Sequence, residues 1–201
     1  MDKQPSEGQI VMASNNPGKL SEIQAILQDA GKRVLPQSHF FLESVDETGL
    51  TFVENAILKA RYACAKSGLA ALADDSGIEV DALCGQPGIY SARYAGPGAS
   101  DEENMQKLLL ALTNCNDEQR GARFWCTMVY LKHENDPCPV ICQAAWEGSI
   151  LHAPQGENGF GYDPIFQPNG FSCSVAELGS VEKNRISHRA QALAQLRQYF
   201  Y

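Results

Sequence analysis

Apolar residues change their spacing several times along the chain, and each change marks an element. Gln9 to Ala13 is a short apolar run that reads as a strand, followed by Ser14-Asn15-Asn16-Pro17-Gly18-Lys19 as a polar turn. Leu20, Ile23, Ile26 and Leu27 then recur at helical spacing, and Lys32 to Leu35 is long enough for a second strand. From Thr51 onward Phe52, Val53, Ala56, Ile57, Ala60, Ala63 and Cys64 fall on one side of a helix, and Thr51-Phe52-Val53-Glu54 has the pattern of a capping box. The apolar run Leu69-Ala70-Ala71-Leu72 reads as a buried strand that ends in Asp74 and Asp75 and turns at Ser76-Gly77.

Gly85, Pro87, Gly88, Gly96, Pro97 and Gly98 mark a long loop, closed by Ser100-Asp101-Glu102-Glu103 as the cap of a helix carrying Met105, Leu108, Leu109 and Leu112. Arg123 to Lys132 and Pro139 to Trp146 are rich in aromatic and β-branched residues and flank the break Glu134-Asn135-Asp136-Pro137, which predicts an antiparallel hairpin. Ile165 and Phe166 follow a glycine-rich turn, and Ala190, Leu193, Leu196 and Phe200 pattern a last helix that starts near Ser187. Strands alternating with helices, with one long hairpin among them, predict an α/β fold in which helices pack on a mixed sheet. With 201 residues and no linker-like stretch, the expectation is one domain over 1–201.

Charge narrows the function classes. Sixteen Lys and Arg against 24 Asp and Glu give a net charge of −8, which disfavours a nucleic-acid or acidic-membrane surface but leaves room for a local basic cleft. No apolar run approaches the ~18 residues of a membrane span, and MDKQPSEGQIVMA lacks a signal-type apolar core. Seven scattered cysteines form neither a disulfide framework nor a zinc pattern, so a reducing cytoplasm is the expected setting.

The candidate chemistry lies in loops and strand ends. Ser14 to Lys19 offers small polar side chains, a glycine and a lysine at a helix start, which suits a phosphate and equally suits an ordinary turn. Asn55 and Lys59, four residues apart, share a helix face and can point into one cleft, or Lys59 can reach past the alanine stripe to solvent, while Glu54 is explained by capping. Two ionised carboxylates about 4 Å apart at a surface repel by roughly 4 kcal/mol, so Asp74 and Asp75 need a cation or opposite faces of a strand. Aspartate oxygens suit Mg²⁺ held together with substrate phosphates; an Asx-type turn is the structural alternative. Phe160-Gly161-Tyr162-Asp163 can bring backbone and an aromatic ring against a flat ligand or can be a hairpin turn. Ser187-His188-Arg189 can donate to carbonyl oxygens or lie on a helix surface.

Taken in order, SNNPGK, ETGLTFVENAILKA, LADDSG, PGIYSARYAG, GFGYDPIF and SHRAQAL closely resemble the inosine triphosphate pyrophosphatase family, most of all its bacterial-type members that act on dITP and XTP. The resemblance runs from about Ile10 to the last helix and departs only at Asn15, where many relatives have glycine, and at the variable Pro17. It implies an elongated mixed sheet flanked by helices, with two lobes and an active-site cleft between them. It also implies a homodimer and Mg²⁺-dependent hydrolysis of non-canonical purine nucleoside triphosphates to monophosphate and pyrophosphate. By resemblance Ser14, Asn16 and Lys19 hold the triphosphate; Glu47 and Asp75 bind metal, with Asp75 also the general base and Asp74 supporting it; and Lys59 offsets phosphate charge. Ser76, Phe160, Gly161, Tyr162, Asp163, Lys183, His188 and Arg189 match positions that hold the nucleotide. A pyrophosphatase for other nucleotides, and a nucleotide-binding regulator without turnover, are the rival expectations.

Overall fold

The computed structural model describes residues 8–14, 17–28, 30–40, 43 and 45–200. Asn15 and Asn16 of the expected phosphate loop lie outside the described residues. In chain order the elements are β1 (Gln9–Met12), α1 (Pro17–Leu27), β2 (Arg33–Pro36), α2 (Phe52–Ser67), β3 (Ala70–Val80), α3 (Asp101–Ala111), β4 (Gly121–Leu131), β5 (Val140–Ile150), β6 (Phe166–Pro168), α4 (Ser180–Ile186) and α5 (His188–Phe200). The strands form one six-stranded sheet in the order β2-β1-β3-β4-β5-β6. It is mixed: β1 pairs in parallel with both β2 and β3, whereas β5 and β6 are antiparallel. No helix among the described residues is long and apolar enough to cross a membrane.

By contact density the chain divides into two compact units, the first comprising 1–75, 127–143 and 192–201 and the second 76–126 and 144–191. The first has a core of small residues. Ala56, Ala60, Ala63 and Cys64 on α2 pack with Ala71 and Ala73 of β3, Val11 of β1 and Val129 and Leu131 of β4. The 56, 60, 63 spacing puts the three alanines on one face, and side chains of one carbon let the helix axis sit close to the strands. Thr51 Oγ1 accepts from the Glu54 N–H at 3.3 Å, and the Glu54 carboxylate accepts from the Leu50 N–H at 2.8 Å. Gly68, at φ +69, closes the other end of the helix in the left-handed conformation.

The second unit is larger in its side chains: Ile78 and Val80 of β3, Leu108 and Leu112 of α3, Phe124 of β4, Trp146 and Ile150 of β5, and Phe166 of β6 share one core. Buried Arg120 donates to the carbonyls of Leu112, Ile150 and Leu151 at 2.9, 2.7 and 2.8 Å, fixing the end of α3 against the end of β5. At the other end of α3, Ser100 and Glu103 form the expected capping box. The Asn104 amide accepts from the Ala95 N–H at 2.7 Å and donates to the Ala92 carbonyl at 3.4 Å.

Three expectations need correction. Pro17, Gly18 and Lys19 are not part of the turn but the first turn of α1, where proline's missing N–H costs nothing because that donor has no partner within a helix. The LADDSG segment is not a strand end: β3 runs on through Asp74, Asp75, Ser76 and Gly77 to Val80, because Ile78 and Val80 continue the alternation and bury in the second core. The long loop is also not uniformly irregular, since Gly88–Arg93 winds as 3₁₀ turns.

The alanine-lined contact of α2 is testable. Ala60, fully buried, has no room for three further carbons, so Ala60→Leu is expected to lower unfolding free energy by about 1–3 kcal/mol. Urea denaturation reads this directly; an unchanged midpoint and slope would contradict the close packing.

Candidate active site

The first unit brings together most of the acids and lysines singled out by sequence. The parallel pairing of β1 with β3 ends at Met12 opposite Leu72, with one further bond from the Ala13 N–H to the Leu72 carbonyl at 2.8 Å. β3 therefore outruns β1, carrying Asp74 and Asp75 beyond the last paired residue of β1. Ligands commonly sit beyond the carboxyl ends of parallel strands in this way.

Alternation along β3 separates the two carboxylates. Asp74, buried, accepts from Lys19 Nζ of α1 at 2.7 Å. Asp75, also buried, turns to α2, accepting from Lys59 Nζ at 2.9 Å and from Asn55 Nδ2 at 3.3 Å. Lys59 donates equally to Glu47 Oε1 at 2.9 Å, so one ammonium gathers two carboxylates from different parts of the chain. Asn55 is fixed in turn by accepting from the Gly49 N–H at 2.8 Å. A Cβ on Gly49 would lie 2.6 Å from the Glu54 Cβ and 2.7 Å from Asn55 Oδ1, so the approach of this loop to α2 requires glycine.

Burial is the dominant electrostatic influence on this cluster. It pushes the Asp75 carboxyl above the ordinary aspartate value despite the attraction of Lys59, and the neighbouring Glu47 carboxylate acts in the same direction. For Lys59 burial disfavours the charge, but the carboxylates of Asp75 and Asp74 and the bonds to Asp75 and Glu47 outweigh it and hold the ammonium above the ordinary lysine value. Lys59 is a firmly charged cation. Asp75 is a carboxylate whose ionised form is costly and which gains from any further positive charge.

The second unit holds a cavity of about 170 Å³ lined by Ser76, Phe124, Phe160, Gly161, Tyr162, Asp163, Lys183, His188 and Arg189, among others. Every residue of the second sequence group is thus brought to one place. Ser187 caps α5 through a 3.3 Å bond from the Ala190 N–H, which sets His188 and Arg189 at the first turn. The His188 ring stacks on Phe124, with centroids 5.0 Å apart and planes 11° apart. The Tyr162 hydroxyl donates to the Ser91 carbonyl at 2.8 Å, and burial raises its pKa above the ordinary phenol value.

Asp163 organises the loop before it. Its Oδ2 accepts from the Phe160 N–H at 2.9 Å and from Lys183 Nζ at 2.5 Å, and that ammonium stands 4.4 Å from the Phe160 ring centroid. Gly159, at φ +84, lies so near that a Cβ would sit 2.2 Å from Asp163 Oδ2; no other residue fits there.

Three contributors were not assigned roles from sequence. Asn55 was visible only as a partner of Lys59 at helical spacing, and Asp101, which also lines the cavity, only as part of a helix cap. Ser91 stood unremarked within PGIYSARYAG; its carbonyl holds Tyr162, and its hydroxyl accepts from the Ile78 N–H at 2.9 Å and donates to the Gly88 carbonyl at 2.6 Å.

Comparison with known proteins places this arrangement. The Ham1 family matches residues 10–199. A Shewanella oneidensis dITP/XTP pyrophosphatase is 56% identical over 188 residues, 94% of this chain and 91% of the relative. A dITP/XTP pyrophosphatase of Yersinia pestis is 55% identical over 184 residues, 92% of this chain and 93% of the relative. The structure of a HAM1 protein from Coxiella burnetii superposes with a TM-score of 0.92 at 50% identity, covering 95% of this chain and 97% of that one. The chain belongs to the Ham1 family.

Proposed function

We propose that this protein is a single nucleotide-hydrolysing domain that converts non-canonical purine nucleoside triphosphates, dITP, ITP and XTP, to the monophosphate and pyrophosphate. Its relatives in Yersinia pestis and Shewanella oneidensis, matched over more than nine-tenths of the chain, carry the name dITP/XTP pyrophosphatase. The observation that carries the proposal is the buried Asp75 gathered with Glu47 on the single ammonium of Lys59, at 2.9 Å each.

Glu47 and Asp75 fit a divalent cation. Both are hard oxygen donors, and among the described residues no group of three or more His, Cys, Asp or Glu is placed to hold a metal by itself. One or two carboxylates completed by substrate phosphates is the manner of Mg²⁺ rather than of a fully protein-built site. When bound, such a cation neutralises phosphate charge and lowers the pKa of water.

The chain's own residues account for the remaining work. Lys19 and Lys59 offset the charge of a triphosphate entering a protein of net charge −8, with Ser14 and Asn16 as further phosphate donors. Asp75, its basicity raised by burial, takes the proton of the attacking water. Asp74 holds Lys19 in place. The cavity of the second unit takes the base: Phe160 supplies a stacking face, and His188 and Arg189 donate to the carbonyl at the purine six position. Adenine presents an amino group there, so donor would face donor and leave both buried without a bond. The seven cysteines, all free, support action in a reducing cytoplasm, and the active form in this proposal is a homodimer.

With Mg²⁺, wild-type protein is expected to release pyrophosphate from dITP, ITP and XTP and to turn over ATP far more slowly. Asp75→Asn should reduce kcat by roughly 10²–10⁴-fold, the weight of a general base. Release of orthophosphate, or equal turnover of all four nucleotides, would contradict the proposal. Lys59→Met leaves Asp75 buried without its cation, so we expect loss of most activity together with about 3 kcal/mol of stability. An unfolding midpoint equal to wild type would show that the pair is not holding the cluster together.

A further inference from the structure

The Phe160-Gly161 backbone is held from two sides. The Phe160 N–H donates to Asp163 within the same loop at 2.9 Å, while the next amide, that of Gly161, donates at 2.6 Å to Asp101 Oδ2, sixty residues earlier in the chain. Asp101 is the first residue of α3, and the Arg120 and Asn104 bonds described above fix that helix at both ends. Gly161 stands at φ +61, a conformation that glycine tolerates but does not by itself enforce.

This tether matters because, apart from the Lys183 ammonium over its face, little else holds the ring. Phe160 is 57% exposed and borders two depressions, the 170 Å³ cavity and a groove of about 380 Å³ on the α3 side. Packing alone does not choose between them for a ring so exposed. Orientation then rests largely on the backbone: Asp163 takes the N–H of the 159–160 peptide and Asp101 that of the 160–161 peptide, so the two carboxylates hold the peptides on either side of Phe160.

We infer that Asp101 is a positioning residue for nucleotide binding: it holds the Gly161 amide so that Phe160 presents its face to the base, an assignment that rests on the base-binding role proposed for this cavity. A purely helical role is the competing explanation, since an acid in the first turn of α3 also stabilises the helix dipole. Glu102 occupies the same turn and supplies the same charge without a bond to the loop, which makes it the natural control.

The test compares kcat and KM for dITP with Mg²⁺ in wild type, Asp101→Ala, Asp101→Asn, Glu102→Ala and Arg189→Ala, with thermal unfolding of each. Asp101→Ala is expected to raise KM about tenfold, the weight of one hydrogen bond to a charged group, while kcat changes by about twofold or less. Asp101→Asn, which keeps an acceptor for the Gly161 N–H, should recover most of the loss, and Glu102→Ala should match wild type in KM. Equal KM values for Asp101→Ala and Glu102→Ala would overturn the inference, as would an Asn variant as impaired as the Ala variant. Arg189→Ala separates the two levels. A raised KM there with no effect at Asp101 rejects only the positioning role, whereas no effect at either position rejects the base-binding role as well.

Discussion

The structure of the first unit turns on one half-buried ammonium. Lys59 meets Asp75 of β3 and Glu47 of the preceding loop with bonds of equal length, and Asp75 is tolerated inside the protein because that charge is there. The cation can reach both because α2 lies close to the sheet, which it meets through Ala56, Ala60 and Ala63. A helix lined with leucine would stand farther off and carry Lys59 with it. Packing of the smallest side chains and pairing of the most costly charges are therefore one constraint.

The same constraint explains why the cluster suits a metal and a polyphosphate. Glu47 and Asp75 bring two negative charges to one positive charge, and burial raises the cost of that imbalance at Asp75. An incoming divalent cation relieves it, and an incoming triphosphate then finds Lys19, Lys59 and the cation rather than bare carboxylate. In the cavity of the second unit the charges balance, Asp101 and Asp163 against Lys183 and Arg189, and the surroundings are aromatic; that suits a flat, weakly charged base.

Much of this was legible in the chain. The 56, 60, 63 stripe predicted α2, and the spacing of Asn55 and Lys59 put both on one helix face; of the two courses open to Lys59, a cleft or solvent, it takes the first, and both side chains meet Asp75. Opposite faces for Asp74 and Asp75 followed from strand geometry, and their separate lysines agree with it. What misled was the local chemistry of Ser76-Gly77. Those residues favour turns, but Ile78 and Val80 gain more by burying in a second core than the chain gains by turning, so β3 continues. The bounds of the short helix α4 that carries Lys183 were not legible, because seven residues with no buried side chain leave no apolar period to read. The bond from Gly161 to Asp101 joins positions sixty apart through a backbone amide, and nothing in residue identity announces it.

The most direct test of the cluster is isothermal titration of a dITP analogue carrying a methylene between the α and β phosphorus atoms, with and without Mg²⁺, into wild type and Asp75→Asn. If Asp75 and Glu47 hold the metal, Mg²⁺ tightens binding to wild type by about tenfold or more and adds little for the variant, which still binds the analogue. A variant that keeps the full metal-dependent gain would contradict the central place given to the Asp75, Lys59 and Glu47 cluster.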